Sequence, residues 1–236
     1  MSLYAIGDLH FSTSVNKPMN IFGGIWDNHE DKIINSWKSK VKEDDTVLVL
    51  GDTSWGINLS EAKSDLDLIN SLPGRKLFIK GNHDYWWTTV TNLNKLYDNC
   101  SFIQTNFYEY NGYAICGGRG WICPNDVKFD EKDEKIYYRE ENRIRISLES
   151  ARKKGYEKII VVTHYPPTND KLEESIFTKL YEEYNVEKVI YGHLHGKESF
   201  KMGLKGERNG IEYILASCDY LKFDLLNLLQ PSLYFL

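Results

Sequence analysis

Residues 77–87 read LFIKGNHDYWW, where a short apolar run stops at a glycine and is followed directly by Asn82, His83 and Asp84. Four further apolar runs end in the same way, each followed by side chains of metal-binding type. These side chains are Asp8 with His10, Asp52, His164, and His193 with His195. Each run is predicted to be a strand, and in open α/β sheets the carboxyl ends of the strands line the crevice where ligands bind. The sequence therefore predicts an α/β fold with a polar site at its strand ends.

The composition is ordinary for a globular protein, with 42% hydrophobic and 27% charged residues. A length of 236 residues suits one substantial core, and we expect a single domain over residues 1–236. The formal net charge of -5 gives no bulk positive field for a long nucleic acid. This disfavours a DNA-binding protein but leaves a short nucleotide possible as a ligand.

The four cysteines are widely spaced and form no CxxC pair, which argues against a structural zinc site. Buried free thiols in a reducing cytoplasm are the simplest account of them. No apolar stretch reaches the roughly 18 residues of a membrane span, and the first predicted strand begins near Leu3, which leaves no removable leader. We therefore expect a cytoplasmic protein that does not interact with a membrane.

Predicted helices and strands alternate in two parts of the chain. Helices are expected at 29–42, after Asn58 or Ser60, near 88–97, at 136–154 and at 173–184, and a strand is expected at 199–204. Asn-Gly pairs at 111–112 and 209–210 are strong signals for two-residue hairpin turns. Two alternating stretches, each followed by hairpins, predict a four-layer α-β-β-α sandwich with two mixed sheets.

Two segments between these elements are candidates for a lid. Residues 11–28 form a long polar and aromatic loop, which is uncommon in a compact domain unless the loop lines a site. Residues 124–141 carry a run of charges, which indicates either a solvated surface or a cap over the site.

Five of the six histidines lie in the strand-end motifs. Four of these five, all except His83, make a set of seven candidate ligands with three oxygen donors, the right number for two metal ions: Asp8, His10, Asp52, Asn82, His164, His193 and His195. A mixed nitrogen and oxygen set without thiolates suits Mn²⁺, Fe, Zn²⁺ or Co²⁺ better than a pure magnesium or calcium site. Asp52 is the natural bridging carboxylate, and ions about 3.5 to 4 Å apart would share a water or hydroxide nucleophile of lowered pKa.

The order of the motifs resembles that of the calcineurin-like metallophosphoesterases. The blocks are Asp-x-His, Gly-Asp, Gly-Asn-His-Asp, a later His and Gly-His-x-His, and they span residues 7 to 195. The resemblance implies a first metal site of Asp8, His10 and His195, a second of Asn82, His164 and His193, and Asp52 as the bridge. It also implies that His83 faces the substrate, where an imidazole with a pKa near 6.5 could protonate the leaving group. Asp84 is expected either to orient His83 or to cap a helix.

The sequence motifs indicate the residues that determine substrate specificity less clearly than they indicate the metal ligands. Protein Ser/Thr phosphatases of the superfamily continue Gly-Asp with Tyr-Val-Asp-Arg-Gly, whereas Asp52 is followed by TSWGI, so the closer resemblance is to a bacterial group of predicted phosphohydrolases. Arg119 in GGRGW is either a phosphate-binding cation or a surface arginine in a tight turn. Trp86 and Trp55 either stack on the substrate or pack against the protein. His29 is expected to be solvated or to cap a helix.

The leading hypothesis is a phosphohydrolase with two divalent transition-metal ions, acting on a phosphomonoester or phosphodiester of a small molecule, with a nucleotide as one candidate. The alternative is an inert interaction scaffold of the same fold, which would be expected to lack several ligands. A nuclease would need a basic groove, which the acidic composition does not support.

Overall fold

The computed structural model describes residues 1–125 and 128–229 and has an α/β architecture. The strands, in chain order, are β1 (Leu3–Ile6), β2 (Thr46–Val49), β3 (Arg75–Ile79), β4 (Cys100–Ile103), β5 (Tyr108–Tyr110), β6 (Tyr113–Gly118), β7 (Lys158–Thr163), β8 (Lys188–Tyr191), β9 (Gly206–Arg208), β10 (Ile211–Leu215) and β11 (Leu226–Asn227). The helices are α1 (His29–Lys40), α2 (Leu59–Ser71), α3 (Val90–Leu93), α4 (Glu131–Lys153), α5 (Ile176–Glu183) and α6 (Gly196–Lys201).

The strands form two mixed sheets. The first has the order β11-β1-β2-β3-β4, in which β1 to β4 are parallel and β11 is antiparallel to β1. The second has the order β5-β6-β7-β8-β10-β9, with four parallel strands between two antiparallel edges. The carboxyl ends of the parallel strands within each sheet therefore meet at one edge, as the sequence pattern predicts.

Successive side chains along each strand point to opposite faces of the sheet, and the buried residues form three hydrophobic clusters. In β1, Leu3 and Ala5 face the second sheet, and one buried cluster contains such residues from both sheets. Tyr4 and Ile6 point the other way and pack with residues of α1 and α2. A third cluster joins the outer face of the second sheet to α4 and α5. The predicted order of helix, sheet, sheet and helix is confirmed.

Local signals account for several element boundaries. Both Asn-Gly pairs form hairpin turns with positive φ at each position, as predicted: φ is 46° and 81° at 111–112, and 52° and 77° at 209–210. The Asn58 side chain caps α2 by accepting from the backbone N–H of Glu61 at 3.0 Å. Asp130 and Asp133 form a capping box that starts α4 five residues before the expected position.

Other boundaries differ from the expectations. Residues 199–204 are not a strand, because α6 continues to Lys201. The third helix is only four residues long, and Asn94, which follows it, accepts from the backbone N–H of Phe102 at 2.9 Å through its side chain. The sequence from Ser101 onward predicts antiparallel strands, but the strand there, β4, belongs to the first sheet and is parallel to β3, so the antiparallel part begins only at β5.

The remaining expectations about composition concern thiols and membranes. All four cysteines are free and buried, as predicted. Within the described ranges, no helix combines the length and the hydropathy that crossing a membrane would need. The sequence also predicts an apolar tail up to Leu236, of which residues 230–236 lie outside the described part of the chain.

Candidate metal centre

Seven predicted ligands follow the carboxyl ends of five parallel strands and converge from both sheets. Backbone hydrogen bonds tie their loops together. The N–H of Asp8 donates to the carbonyl of Gly51 at 3.0 Å, and that of His10 donates to the carbonyl of Asp52 at 2.9 Å. In the second sheet, the N–H of Gly192 donates to the carbonyl of His164 at 3.1 Å.

Asp8, His10 and His195 form one group of potential metal ligands. Their ligand atoms lie within 4.8 Å of one another. Within this group, His195 Nε2 lies 3.4 Å from Asp8 Oδ1. This is the set that the family resemblance implies for a first metal.

A second group surrounds His164. Its Nε2 lies 3.5 Å from Asp52 Oδ2, 2.7 Å from Asn82 Oδ1 and 3.1 Å from His193 Nδ1. Asp8, Asp52 and His164 also lie within 4.8 Å of one another. Asp52 lies beside both groups, because its Oδ2 is 3.9 Å from His10 Nε2 as well as 3.5 Å from His164 Nε2.

The histidine orientations test whether a metal fits here. His164 Nδ1 lies 2.9 Å from the carbonyl oxygen of Leu50, which accepts its proton and leaves Nε2 free for a cation. His195 Nδ1 lies 2.9 Å from Asp219 Oδ1, and its Nε2 faces Asp8. His10 Nδ1 is buried and has no hydrogen-bond partner within the described residues. Imidazole nitrogens held in this way beside carboxylates fit divalent transition-metal ions.

The carboxylates are crowded together. Burial, together with the neighbouring charge of Asp8, raises the pKa of Asp52 to about 8. Burial also opposes ionisation of Asp8, but His195 and the other histidines hold the pKa of Asp8 well below its usual range. Two adjacent carboxyl groups cannot both ionise cheaply without a cation between them. The site therefore favours positive charge beyond what its side chains provide.

Most of the histidines favour the neutral form, which is the form that binds metal. Burial and the neighbouring His164 lower the pKa of His193 to about 3. Burial likewise lowers the pKa values of His10 and His164. His195 is the exception: burial acts against its charge, but Asp8 and Asp219 raise its pKa to about 10.

The backbone of the ligand loops is strained. Their φ values lie in the left-handed region that residues other than glycine rarely adopt. These values are 61° at Asp8, 48° at His10, 49° at Asp52 and 72° at His193. The geometry also requires a glycine next to a ligand, because a Cβ at Gly81 would lie 2.0 Å from Asp52 Oδ1.

His83 lies beside the ligands, and among the described residues no carboxylate forms a hydrogen bond or ion pair with its ring. Its backbone N–H donates to Asp52 Oδ1 at 2.8 Å, which holds the residue against the site. Its ring centroid is 4.6 Å from that of Trp55 and 5.9 Å from that of His10. Burial, followed by the neighbouring charges of His164 and Lys17, lowers the pKa of His83. The ring borders an open cavity, so a bound molecule can reach it.

Asp84 has neither of its expected roles. Its carboxylate is fully buried and accepts from the backbone N–H groups of Gly81 at 2.7 Å, Asp52 at 2.9 Å and Thr53 at 2.9 Å. The helix that follows is capped by Thr89 instead. Asp84 is thus a positioning residue that holds the loops after β2 and β3 together.

The two residues predicted to contact the substrate do not line the cavity that His10, His83 and His195 border. Trp86 is buried and donates its Nε1–H to Asp84 Oδ1 at 2.9 Å, so it cannot stack on a substrate. The guanidinium of Arg119 pairs with the buried Glu140 at 3.1 Å and stacks on Trp121 at 4.4 Å. Arg119 borders another cleft, of about 220 Å³, that contains none of the seven predicted ligands.

His29 is also placed differently from the expectation. It is only 6% exposed, and its Nε2 lies 3.1 Å from the carbonyl oxygen of Leu9. Its ring packs edge-on against Trp26, with centroids 5.4 Å apart. It is therefore a core residue behind the first group of ligands, although it also begins α1.

Two residues near the site were missed. Asp219, which orients His195, also accepts from the backbone N–H of Gly196 at 3.0 Å. It follows β10 within the run YILASCDY, so the strand-end pattern could have identified it. Lys17 lies in the loop 11–28 with its Nζ 4.8 Å above the ring of Trp55. No sequence motif distinguishes Lys17 from other surface lysines.

A family model supplies the comparison that decides the classification. The model of the calcineurin-like phosphoesterase family matches residues 1–197. The chain belongs to this family. This calcineurin-like phosphoesterase thus belongs to a family of hydrolytic enzymes, and it contains a cluster of Asp and His side chains that could hold metal.

Solved structures and one curated protein resemble this calcineurin-like phosphoesterase. A protein of unknown function from Aquifex aeolicus has a TM-score of 0.55 and 19% identity, covering 96% of this chain and 95% of that one. Phosphopantetheinyl hydrolase from Mycobacterium tuberculosis has a TM-score of 0.55 and 15% identity, covering 100% and 98%. These two likenesses establish the fold. The Gene 66 protein of Mycobacterium phage L5 is 43% identical over 56 residues, which span 24% of this chain and 27% of the phage protein.

Proposed function

We propose that this protein is a metal-dependent phosphohydrolase that cleaves a phosphomonoester or phosphodiester of a small molecule. One observation carries the proposal: the Asp, Asn and His side chains that follow five separate strands meet at a single site in a member of a phosphoesterase family. The buried free thiols support a reducing cytoplasm as its location.

Two cations, of Mn²⁺, Fe, Zn²⁺ or Co²⁺, fit the two groups of ligands. Asp8, His10 and His195 would hold one, and Asn82, His164 and His193 the other, with Asp52 between them. Such ions neutralise phosphate charge and lower the pKa of a water so that it becomes a nucleophile. The protein contributes fixed ligand orientations, since Leu50 and Asp219 hold the rings of His164 and His195.

His83 is proposed to protonate the leaving oxygen. In the free protein its pKa is lowered by burial, so its ring is largely neutral near pH 7. A phosphate group bound beside the ring would raise that pKa, because a neighbouring negative charge favours the imidazolium form. A ring nitrogen of His83 would then carry the proton to the leaving group, a step that typically contributes 10²–10⁴-fold to the rate.

The test is turnover of p-nitrophenyl phosphate and bis(p-nitrophenyl) phosphate with Mn²⁺, Zn²⁺ or Fe²⁺ present. We expect Asp52→Ala to abolish turnover and His83→Ala to lower kcat by about 10²–10⁴-fold while metal binding is retained. Asp44→Ala is the matched control, because Asp44 is an exposed carboxylate whose ion pair, at 3.8 Å, is with the amino terminus. A fully active Asp52→Ala protein would refute the mechanism.

The interaction scaffold predicts a different result. A protein that binds no transition metal in a calorimetric titration, and that hydrolyses neither ester, would support the scaffold and exclude the hydrolase. Binding of metal without turnover of either ester would instead direct the search to other phosphoesters, beginning with nucleotides and sugar phosphates.

A further inference from the structure

An apolar cavity of about 610 Å³ adjoins the candidate metal centre. His10, His83 and His195 border it, so the cavity and the metal ligands share a wall. Its other walls are mainly hydrophobic and come from the loop 11–28, the segment after β2 and α6: Met19, Phe22, Ile25, Trp26, Trp55 and Phe200. Its volume lies within the roughly 300–1,000 Å³ that is usual for small-molecule sites.

The loop 11–28, which supplies most of the hydrophobic wall, is held in place by the rest of the protein. The backbone N–H of Thr13 donates to Asp65 Oδ1 at 2.9 Å, and that of Ser12 donates to Glu30 Oε1 at 2.9 Å. Two short 3₁₀ helices, Met19–Phe22 and Gly24–Trp26, give the loop regular structure. The cavity is therefore formed before any ligand binds.

Two hydrophobic side chains of this wall are left in contact with water. Phe22 is 65% exposed and Ile25 is 53% exposed, although Trp26 beside them is buried. When a hydrocarbon group covers apolar side chains that border an open cavity, apolar surface is removed from water and binding becomes more favourable. A sugar would instead need hydrogen-bond partners, and these hydrophobic walls provide few.

We infer that the cavity binds the organic part of the substrate, and that this part is an alkyl or aryl hydrocarbon group. The inference rests on the proposed phosphohydrolase function, because the phosphate would lie at the histidines that border the cavity. Lys197 adds positive charge at this border, and Lys17 adds it behind the lining residue Trp55, with its Nζ 4.8 Å above the Trp55 ring. The substrate class is therefore a phosphoester whose hydrocarbon group lies directly next to its phosphate.

The experiment measures binding of methyl-, propyl- and hexylphosphonate to the Mn²⁺-loaded protein by calorimetry. These probes cannot be hydrolysed and differ only in the length of the alkyl chain. Each methylene that enters the cavity should tighten Kd by about two- to fourfold. The heat-capacity change of binding should also become more negative with chain length, as expected for burial of apolar surface. A Kd that does not change with chain length would overturn the inference.

Matched variants locate the effect. Phe22→Ser and Ile25→Ser should flatten the dependence of Kd on chain length. Ile21→Ser is the control. Ile21 lies in the same 3₁₀ helix as Phe22 and is 74% exposed, but it does not border the cavity. It should keep the wild-type dependence. Equal flattening in Ile21→Ser, or none in Phe22→Ser and Ile25→Ser, would refute the assignment of this wall.

The two levels of proposal fail separately. Turnover of p-nitrophenyl phosphate tests the hydrolase, whereas the chain-length dependence of phosphonate binding tests the cavity. A protein that hydrolyses the ester but binds the three phosphonates equally is a phosphohydrolase with another specificity. A protein that shows the chain-length dependence without turnover has the cavity but not the proposed chemistry.

Discussion

Replacing Asp84 by asparagine tests whether this carboxylate holds the ligand loops in position. One carboxylate oxygen accepts from the N–H groups of Asp52 at 2.9 Å and Gly81 at 2.7 Å. The other accepts from the N–H of Thr53 at 2.9 Å and from Nε1–H of Trp86 at 2.9 Å. The side-chain amide of asparagine keeps one acceptor oxygen and directs an NH₂ group at the two donors of the other pair.

The magnitude follows from the two lost hydrogen bonds. A hydrogen bond to a charged group contributes about 1.5–3 kcal/mol, and a buried donor left without an acceptor adds its own desolvation cost. We therefore expect Asp84→Asn to lower the free energy of unfolding by about 1.5–3 kcal/mol, less than the sum of these contributions, because the substitution also removes a buried charge next to Asp52. Burial and the nearby Asp52 raise the pKa of Asp84 to about 6, so the loss should be measured at pH 8, where the carboxyl group is ionised.

The assay is urea unfolding of the metal-free protein, followed by circular dichroism. Asp67→Asn is the control, because Asp67 is an exposed acid whose partners, Lys63 and Tyr97, lie at the surface of the protein. We expect that control to change stability by no more than about 1 kcal/mol. If Asp84→Asn lost as little as the control, the four donors would not depend on the negative charge and the reasoning would be wrong.

Three further substitutions test other parts of the site. Asp219→Asn should weaken Mn²⁺ binding about 10–100-fold in a calorimetric titration, because His195 loses the carboxylate that orients it. Gly192→Ala should destabilise the metal-free protein to urea by about 1–3 kcal/mol, because the new Cβ would lie 2.5 Å from Asp8 Oδ2. His29→Gln should reduce the loss of stability in acid by up to about 1.4 kcal/mol per pH unit below pH 6.5 in thermal unfolding, because burial lowers the pKa of His29 and only the unfolded chain takes up its proton.

Each of these substitutions has a control or a contrary outcome. Asp224→Asn serves for Asp219, because Asp224 pairs with Lys40 at 2.5 Å, and unchanged metal binding is expected. Gly24→Ala serves for Gly192, because a Cβ there meets nothing nearer than 3.4 Å. An acid dependence of stability that is the same in His29→Gln and in the wild type would show that this imidazole titrates normally in the folded protein.

Local chemistry made much of the fold predictable. An Asn-Gly pair at 111–112 specifies a hairpin because both positions need positive φ, and this requirement involves no distant residue. The strand-end pattern worked because parallel strands bring their carboxyl ends to one edge whatever their order. The sequence could therefore indicate which ligands meet before the order of the strands was known.

Errors arose where a side chain's partner comes from a distant part of the chain. Arg119 lies in a glycine-rich turn, as a phosphate-binding arginine does, but its partner Glu140 comes from α4, and no local pattern indicates that pairing. Asp84 is next to His83 in sequence, yet its carboxylate is directed at the loop after β2. His29 has charged neighbours in sequence but lies under Trp26 in the structure. In each case tertiary contacts, which the sequence does not show directly, decide the role.

The left-handed φ values of Asp8, His10, Asp52 and His193 lower the stability of the fold at the positions that the proposed chemistry needs. Residues other than glycine in this conformation cost about 1–3 kcal/mol each, with aspartate and histidine towards the lower end. A descendant released from catalysis would gain stability by exchanging these residues for glycine or asparagine. Loss of function in this lineage should therefore leave its first traces at the ligand positions, while the two sheets behind them stay unchanged.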